Sequence, residues 1–89
     1  MCPRRRRDLT LTEIEQTGES VLVDPRGERA TVVTPLAAVV WLLCDGARGA
    51  EAIGDELAAH FGTAVDRARV DADVRAVLGA FAREGLLEP

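Results

Sequence analysis

The 89-residue chain contains no lysine and no tyrosine, and it has only three aromatic side chains, two cysteines and one histidine. Each shortage removes a class of function. Cys2 and Cys44 are not in a CxxC spacing, and His60 is the only imidazole, so the residues for a zinc site or a disulfide framework are absent. Reduced thiols and a cytoplasmic location are the expectation. Long apolar runs are missing too. The longest, Leu36 to Cys44, has nine residues, whereas a bilayer span takes about 20. Arg4 to Arg7 run straight into Asp8-Leu9-Thr10-Leu11-Thr12-Glu13, which lacks the apolar stretch of a secretory signal. No membrane association is expected.

What is present suits one small domain. A chain of this size buries only about 60% of the surface its unfolded form exposes. It therefore needs most of its 22 Leu, Val and Ile side chains for the core, leaving little for a deep active site. Charge is segregated. Arg4 to Arg7 supply +4, and the remaining chain sets seven Arg against 15 acids, a net of −8. An acidic body repels phosphate backbones, so no nucleic-acid partner is expected. The arginine run reads as a basic disordered tail over residues 1–7, ahead of a domain spanning 8–89.

The front of the domain is strand-like. Leu9 to Gln16, Val21 to Asp24 and Arg29 to Val33 are rich in Thr and branched apolar residues, and the intervening segments hold Gly18 and Gly27. These features predict two hairpins and a three-stranded antiparallel meander. The back is helical. Thr34 is placed to cap a helix whose first residue, Pro35, needs no amide partner. Leu36, Val39, Val40 and Leu43 recur at helical spacing up to the stop at Asp45-Gly46. A second helix is predicted over Gly49 to Gly62 through Ile53, Leu57 and Phe61. The third spans Asp66 to Arg83 through Val70, Val74, Val77, Leu78 and Phe81, with Gly85 ending it and Leu86-Leu87 folding back as an apolar clasp. The fold class is α+β, a winged helix-turn-helix-like meander followed by three helices.

Catalytic chemistry finds no support. A nucleophile needs a base, and His60 at a helix end is the only imidazole. Glu13 and Glu15 are spaced to share one face of a strand, where solvated carboxylates are ordinary. No Gly-rich phosphate loop occurs. No catalytic residue, metal or cofactor is expected. The winged arrangement invites a DNA-binding reading, but the second helix carries Glu51, Asp55 and Glu56 without a basic residue, and the third balances its Arg with acids. What remains is backbone. The third strand, Arg29-Ala30-Thr31-Val32-Val33, has one charge, at its start, and no proline, so nothing blunts it against an added strand. Each ladder hydrogen bond gained there is worth about 0.5–1.5 kcal/mol net. A solvent-exposed edge, or one paired with a second copy, satisfies the same pattern.

Four segments in fixed order carry a family resemblance. They are Leu22-Val23-Asp24-Pro25-Arg26-Gly27 at the second turn, Thr34-Pro35-Leu36-Ala37-Ala38-Val39-Val40-Trp41 opening the first helix, Leu43-Cys44-Asp45-Gly46 closing it, and Asp71-Ala72-Asp73-Val74-Arg75-Ala76-Val77-Leu78 in the last helix. Together, over residues 8–87, the chain resembles the PqqD family. Thr34 stands where family members frequently have Asn; both cap helices. The Arg4 to Arg7 run lies outside the shared pattern.

The resemblance implies a standalone RiPP recognition element, a non-enzymatic chaperone for a ribosomally made precursor peptide. Such an element binds the precursor's leader as a strand added to the third strand, in the groove against the third helix. It then presents the precursor to a modifying enzyme, either a radical S-adenosylmethionine protein or a leader peptidase with a cyclase. By position, Arg29, Ala30, Thr31, Val32 and Val33 would form the ladder, and Val70, Asp73, Val74, Val77, Leu78 and Phe81 the stripe from which groove walls come. Arg67, Arg69 and Arg75 would meet acidic leader residues. A winged-helix DNA-binding or regulatory module and a structural homodimer stay open as alternatives.

Overall fold

The computed structural model of the protein describes residues 2–26, 29–61 (without the Phe61 side chain) and 66–88. Three strands come first: β1 (Thr10–Glu13), β2 (Ser20–Val23) and β3 (Ala30–Val33). Three helices follow: α1 (Pro35–Leu43), α2 (Ala50–Phe61) and α3 (Arg67–Glu84). The sheet has the order β1-β2-β3, antiparallel throughout, as the meander pattern predicts. Its strands are shorter than the sequence suggests. After Glu13 the chain turns, with the Thr17 and Gly18 amides both donating to the Ile14 carbonyl, and Gly18 takes φ 76°. Glu15 therefore lies in the turn and does not share a strand face with Glu13. Gly27, expected in the second turn, and Gly62, expected to end α2, lie outside the described residues.

The cross-strand register gives the sheet two faces. Leu22 pairs with Leu11 and Thr31, and Ser20 with Glu13 and Val33, so this set shares the face toward α1. Leu22 is 1% exposed and Val33 is buried. The opposite face carries the rows Thr12–Val21–Val32 and Thr10–Val23–Ala30. Val32 is 58% exposed, the most exposed large apolar residue described.

Helix α1 is central because it is apolar almost all round. Val40 and Trp41 are buried within it, and Cys44 is buried just beyond. Full burial of a side chain such as Val40 is worth about 1.5–3 kcal/mol. The Thr34 hydroxyl accepts from the Ala37 amide at 3.2 Å and Pro35 opens the helix, as the sequence predicts. The core continues through Ile53 and Leu57 of α2, and Val70, Val74 and Phe81 of α3. Gly85 ends α3 at φ 71°, where a left-handed residue is required. The clasp follows: Leu86 is buried and its carbonyl accepts from the Trp41 indole at 3.1 Å.

The basic run differs from the disordered tail expected over residues 1–7. The Arg5 amide donates to the Cys44 carbonyl at 2.7 Å, the Arg6 amide to Leu86, and the Gly46 amide to Pro3. Short bridges join Arg4 to Asp45 and Arg5 to Leu87. The reason is unmet demand at two helix ends. Helix α1 has no basic residue in its last turn, and Arg5 Nη1 donates to the Leu42 carbonyl at 2.8 Å while its guanidinium lies 5.8 Å over the Trp41 ring. Arg6 does the same beyond α3, donating to the Gly85 carbonyl at 3.0 Å. Its pair with Asp8 at 2.6 Å holds that carboxyl below its usual range.

Candidate functional site

Strand β3 forms one edge of the sheet, and the alternation of an antiparallel ladder decides which of its peptide groups are free. The Asp24 amide donates to the Arg29 carbonyl at 3.2 Å. With that bond and the register Leu22↔Thr31 and Ser20↔Val33, residues 29, 31 and 33 direct their backbone groups toward β2. Ala30 and Val32 therefore direct theirs outward. The first hairpin gives the same parity, since the Ile14 amide donates to Glu19 and puts residues 21 and 23 of β2 toward β1. Of the five residues expected to supply a ladder, Ala30 and Val32 carry the outward donors and acceptors. Arg29, Thr31 and Val33 hold them in place.

Helix α3 has two flanks with opposite roles. On one, Arg67 reaches α2, pairing with Asp55 at 2.6 Å and Asp71 at 2.9 Å and donating to the Glu51 carbonyl at 3.1 Å. These contacts hold the guanidinium firmly charged, the Asp71 hydrogen bond contributing most. Gly54 of α2 is where the network crosses, because a Cβ there would lie 2.6 Å from Asp71 Oδ1. Arg67, expected to meet a ligand, is held at the α2–α3 joint by these contacts. Arg75 lines the same polar cleft, and Leu78 shares this flank by helical phase.

Val70, Val74 and Phe81 are also absent from an open groove, being 7%, 1% and 3% exposed. A continuous apolar stripe mixes core and binding residues, and the core takes its middle. The flank turned away from α2 carries Asp73, Val77, Ala80 and Glu84, recurring at helical spacing. Asp73, Val77 and Ala80 are half-buried. Asp73 has one ion-pair contact, with Arg69 at 3.9 Å. Ala80 and Glu84 share this flank with Asp73 and Val77 by helical spacing. The flank is more acidic than expected, because the arginines assigned to it are drawn toward α2 or, for Arg69, toward Asp73. Both β3 and α3 pack on α1, so the open edge and this flank are held by one helix.

The remaining groups offer little chemistry. Burial pushes the Cys44 thiol up to about 11, and its Sγ contacts the Val40 carbonyl at 3.2 Å, so it is packed as an apolar side chain. His60 lies exposed in the last turn of α2. Among the described residues no group of three or more His, Cys, Asp or Glu is placed to hold a metal ion. No described helix is long and apolar enough to cross a membrane.

The family model for coenzyme PQQ synthesis protein D matches residues 19–87, most of the chain. The chain belongs to the PqqD family. That family is one of peptide-binding domains, and three solved structures share its fold with this chain. The PqqD truncation of Methylobacterium extorquens PqqCD, a functional and stand-alone RiPP recognition element, is 29% identical, with 98% of this chain and 88% of that one covered at a TM-score of 0.77. TbiB1 in complex with the TbiA(β) leader peptide is 26% identical, with 96% and 94% covered at a TM-score of 0.72. A lasso peptide synthetase B1 complexed with its leader peptide is similar in fold at 18% identity, with both chains fully covered and a TM-score of 0.75. A search of curated proteins returned no match. The resemblance read from the four sequence segments is thus upheld, and the PqqD-family fold accounts for both hairpins and all three helices.

Proposed function

We propose that this PqqD-family chain is a non-enzymatic recognition element that binds the leader segment of a ribosomally made precursor peptide and delivers it to a modifying enzyme. The observation that carries the reading is the free β3 edge, where Ala30 and Val32 turn their peptide groups outward from a strand that packs, like α3, on α1. A leader strand would satisfy those groups and continue the antiparallel sheet. Thr31 and Val33 would keep the edge in register, and Asp73 and Val77 would meet leader side chains. Family likeness to proteins solved with leader peptides supports the same assignment. The partner enzyme is a radical S-adenosylmethionine protein, or a leader peptidase with a cyclase, working with this domain in the cytoplasm.

The charge of the site refines the expectation for the ligand. With Arg67 held by Asp55 and Asp71, the flank presents Asp73 and Glu84, which favour a leader with a basic side chain over an acidic one. The test is a titration of the 15N-labelled chain with the leader of the precursor encoded beside it. Saturable shifts at residues 30–33 and at 73, 77 and 80 are expected. Binding without shifts at these positions, or no binding at all, overturns the proposal.

A further inference from the structure

A second surface, distinct from the β3 edge, lies across the sheet. Strand β1 is the other edge, and by the ladder parity established above Leu11 and Glu13 turn their peptide groups outward there. Beside them, Leu11, Pro35, Ala38, Val39 and Leu42 line one side of a groove of about 500 Å³ whose strand side also carries Glu13, Gly18 and Ser20. Leu42 is 50% exposed and Val39 half-buried on the same side of α1, so the groove opens a small apolar surface to water.

A separate cavity at the C-terminal end of α1 is cationic. Arg4, Arg5 and Arg7 line a cavity of about 200 Å³ with Cys44 and Asp45. Asp45 is already occupied, accepting from the Ala47 amide at 2.9 Å and the Arg48 amide at 3.1 Å and pairing with the Arg48 guanidinium at 3.3 Å. Arg4 has a single long contact to Glu88 at 4.0 Å, and Arg7 has no ion pair or side-chain hydrogen bond among the described residues. Arg4 and Arg7 thus line, without a close carboxylate partner among the described residues, a cavity whose own carboxylate is spent, while Arg5 beside them is engaged by the Leu42 carbonyl and the Trp41 ring. The two features meet at Leu42, whose side chain lines the groove and whose carbonyl holds Arg5 at 2.8 Å.

We propose that the arginine arm and the adjoining face of α1 form a second docking surface, for a segment of a partner protein that carries apolar side chains followed by carboxylates. Apolar residues would cover Leu42 and Val39 beside the β1 edge, and carboxylates would enter the cavity among Arg4, Arg5 and Arg7. Charge complementarity selects this occupant. The chain outside residues 4–7 has a net charge of −8, so a long polyanion such as DNA would be repelled over most of its length, whereas a short acidic segment meets only the arm. The surface goes beyond the leader-binding reading and leaves β3 free, so one domain could hold a peptide and a partner together.

The test uses the full 15N-labelled chain and two synthetic hexapeptides, one of three valines followed by three glutamates, the other with glutamines in place of the glutamates. Saturable shifts at Leu11, Val39 and Leu42 with the glutamate peptide are expected, with the glutamine peptide weaker by about fivefold to tenfold. Arg7→Gln, which removes no contact of the fold, should weaken the glutamate peptide alone. Equal affinity for both peptides, no shifts at these residues, tight binding of a short DNA duplex instead, or self-association through this face by light scattering would overturn the proposal. Leader titration of the same sample separates the two readings, since shifts at 30–33 report on β3 whatever happens at Leu42.

Discussion

At one edge of the sheet, Ala30 and Val32 turn peptide groups outward from a strand that packs on α1; at the other, Leu11 and Glu13 do so beside a groove lined by α1. The backbone chemistry at the two edges is the same. What differs is the neighbour. Helix α3 offers a flank that combines an apolar side chain with carboxylates, and β1 borders a groove linked through Leu42 to a cavity lined by arginines. Main-chain hydrogen bonds supply affinity at an edge, and flanking side chains decide which strand receives it. Two edges with opposite charge beside them can therefore serve two ligands in one small domain.

The comparison breaks most sharply with proline. Val32→Pro removes an outward N–H at the β3 edge and leaves the β2–β3 bonds intact, because residue 32 does not donate to β2. Loss of that bond and the clash of the ring with an incoming strand should weaken leader binding by about ten- to a hundredfold. Glu13→Pro, the matching change on β1, should leave leader affinity within about twofold, since it alters an edge outside the proposed leader site. Calorimetric titration of both variants measures the contrast. Equal losses would mean that the edges are not distinct.

A second comparison tests how the arm is held. Gly46 takes φ 81°, and a Cβ there would collide with the Arg4 guanidinium. Gly46→Ala should cost about 1–3 kcal/mol in stability, read from urea unfolding followed by the single tryptophan. The same substitution should leave affinity at β3 unchanged, because leader binding does not involve the arm. A smaller effect is expected at the α3 flank. Asp73→Asn should reduce affinity for a leader with a basic residue by about fivefold, and Arg67→Gln should lower stability with little change in binding. A binding loss confined to Arg67→Gln would reverse the assignment of the two flanks.

The sequence made the element order legible because its signals were local. Thr34-Pro35 marked a helix start, Gly46 and Gly85 marked stops, and runs of Val and Thr marked strands. The β3 edge followed from strand composition and the absence of proline. Two features were not local. The sequence cannot tell which side of the α3 stripe faces α2, so it leaves open which of Val70, Val74, Val77, Leu78 and Phe81 serve the core and where Arg67 finds its partners. The partners that decide it, Asp55 and the Glu51 carbonyl, lie on another helix. Arg4 to Arg7 resembled a solvated tail because their acceptors are helix-end carbonyls at Leu42 and Gly85, distant in sequence. Which of the five β3 residues point outward required the register, which composition does not encode.

Acid should distinguish the two sides of the molecule last and most gently. The Asp8 carboxyl lies below its ordinary range because Arg6 donates to it. Asp45 lies below its range chiefly because the Ala47 amide donates to it, with the Arg48 amide and guanidinium adding to the effect. A carboxyl depressed in the folded state contributes stability above its unfolded pKa, near about 3.9 for aspartate, and loses that contribution as pH falls through the folded value. The arm should therefore loosen only below the ordinary carboxylate range. Because the Arg5 guanidinium lies over Trp41, the release should be visible as a change in tryptophan fluorescence. Asp8→Asn should remove one titrating group, shrink the acid-dependent change and leave the arm weakly held at neutral pH. An arm that responds to acid identically in Asp8→Asn and the parent would show that the Arg6–Asp8 pair does not fasten it, and that its backbone bonds to Cys44, Gly46 and Leu86, with the helix-end carbonyls of Leu42 and Gly85, hold it without that pair.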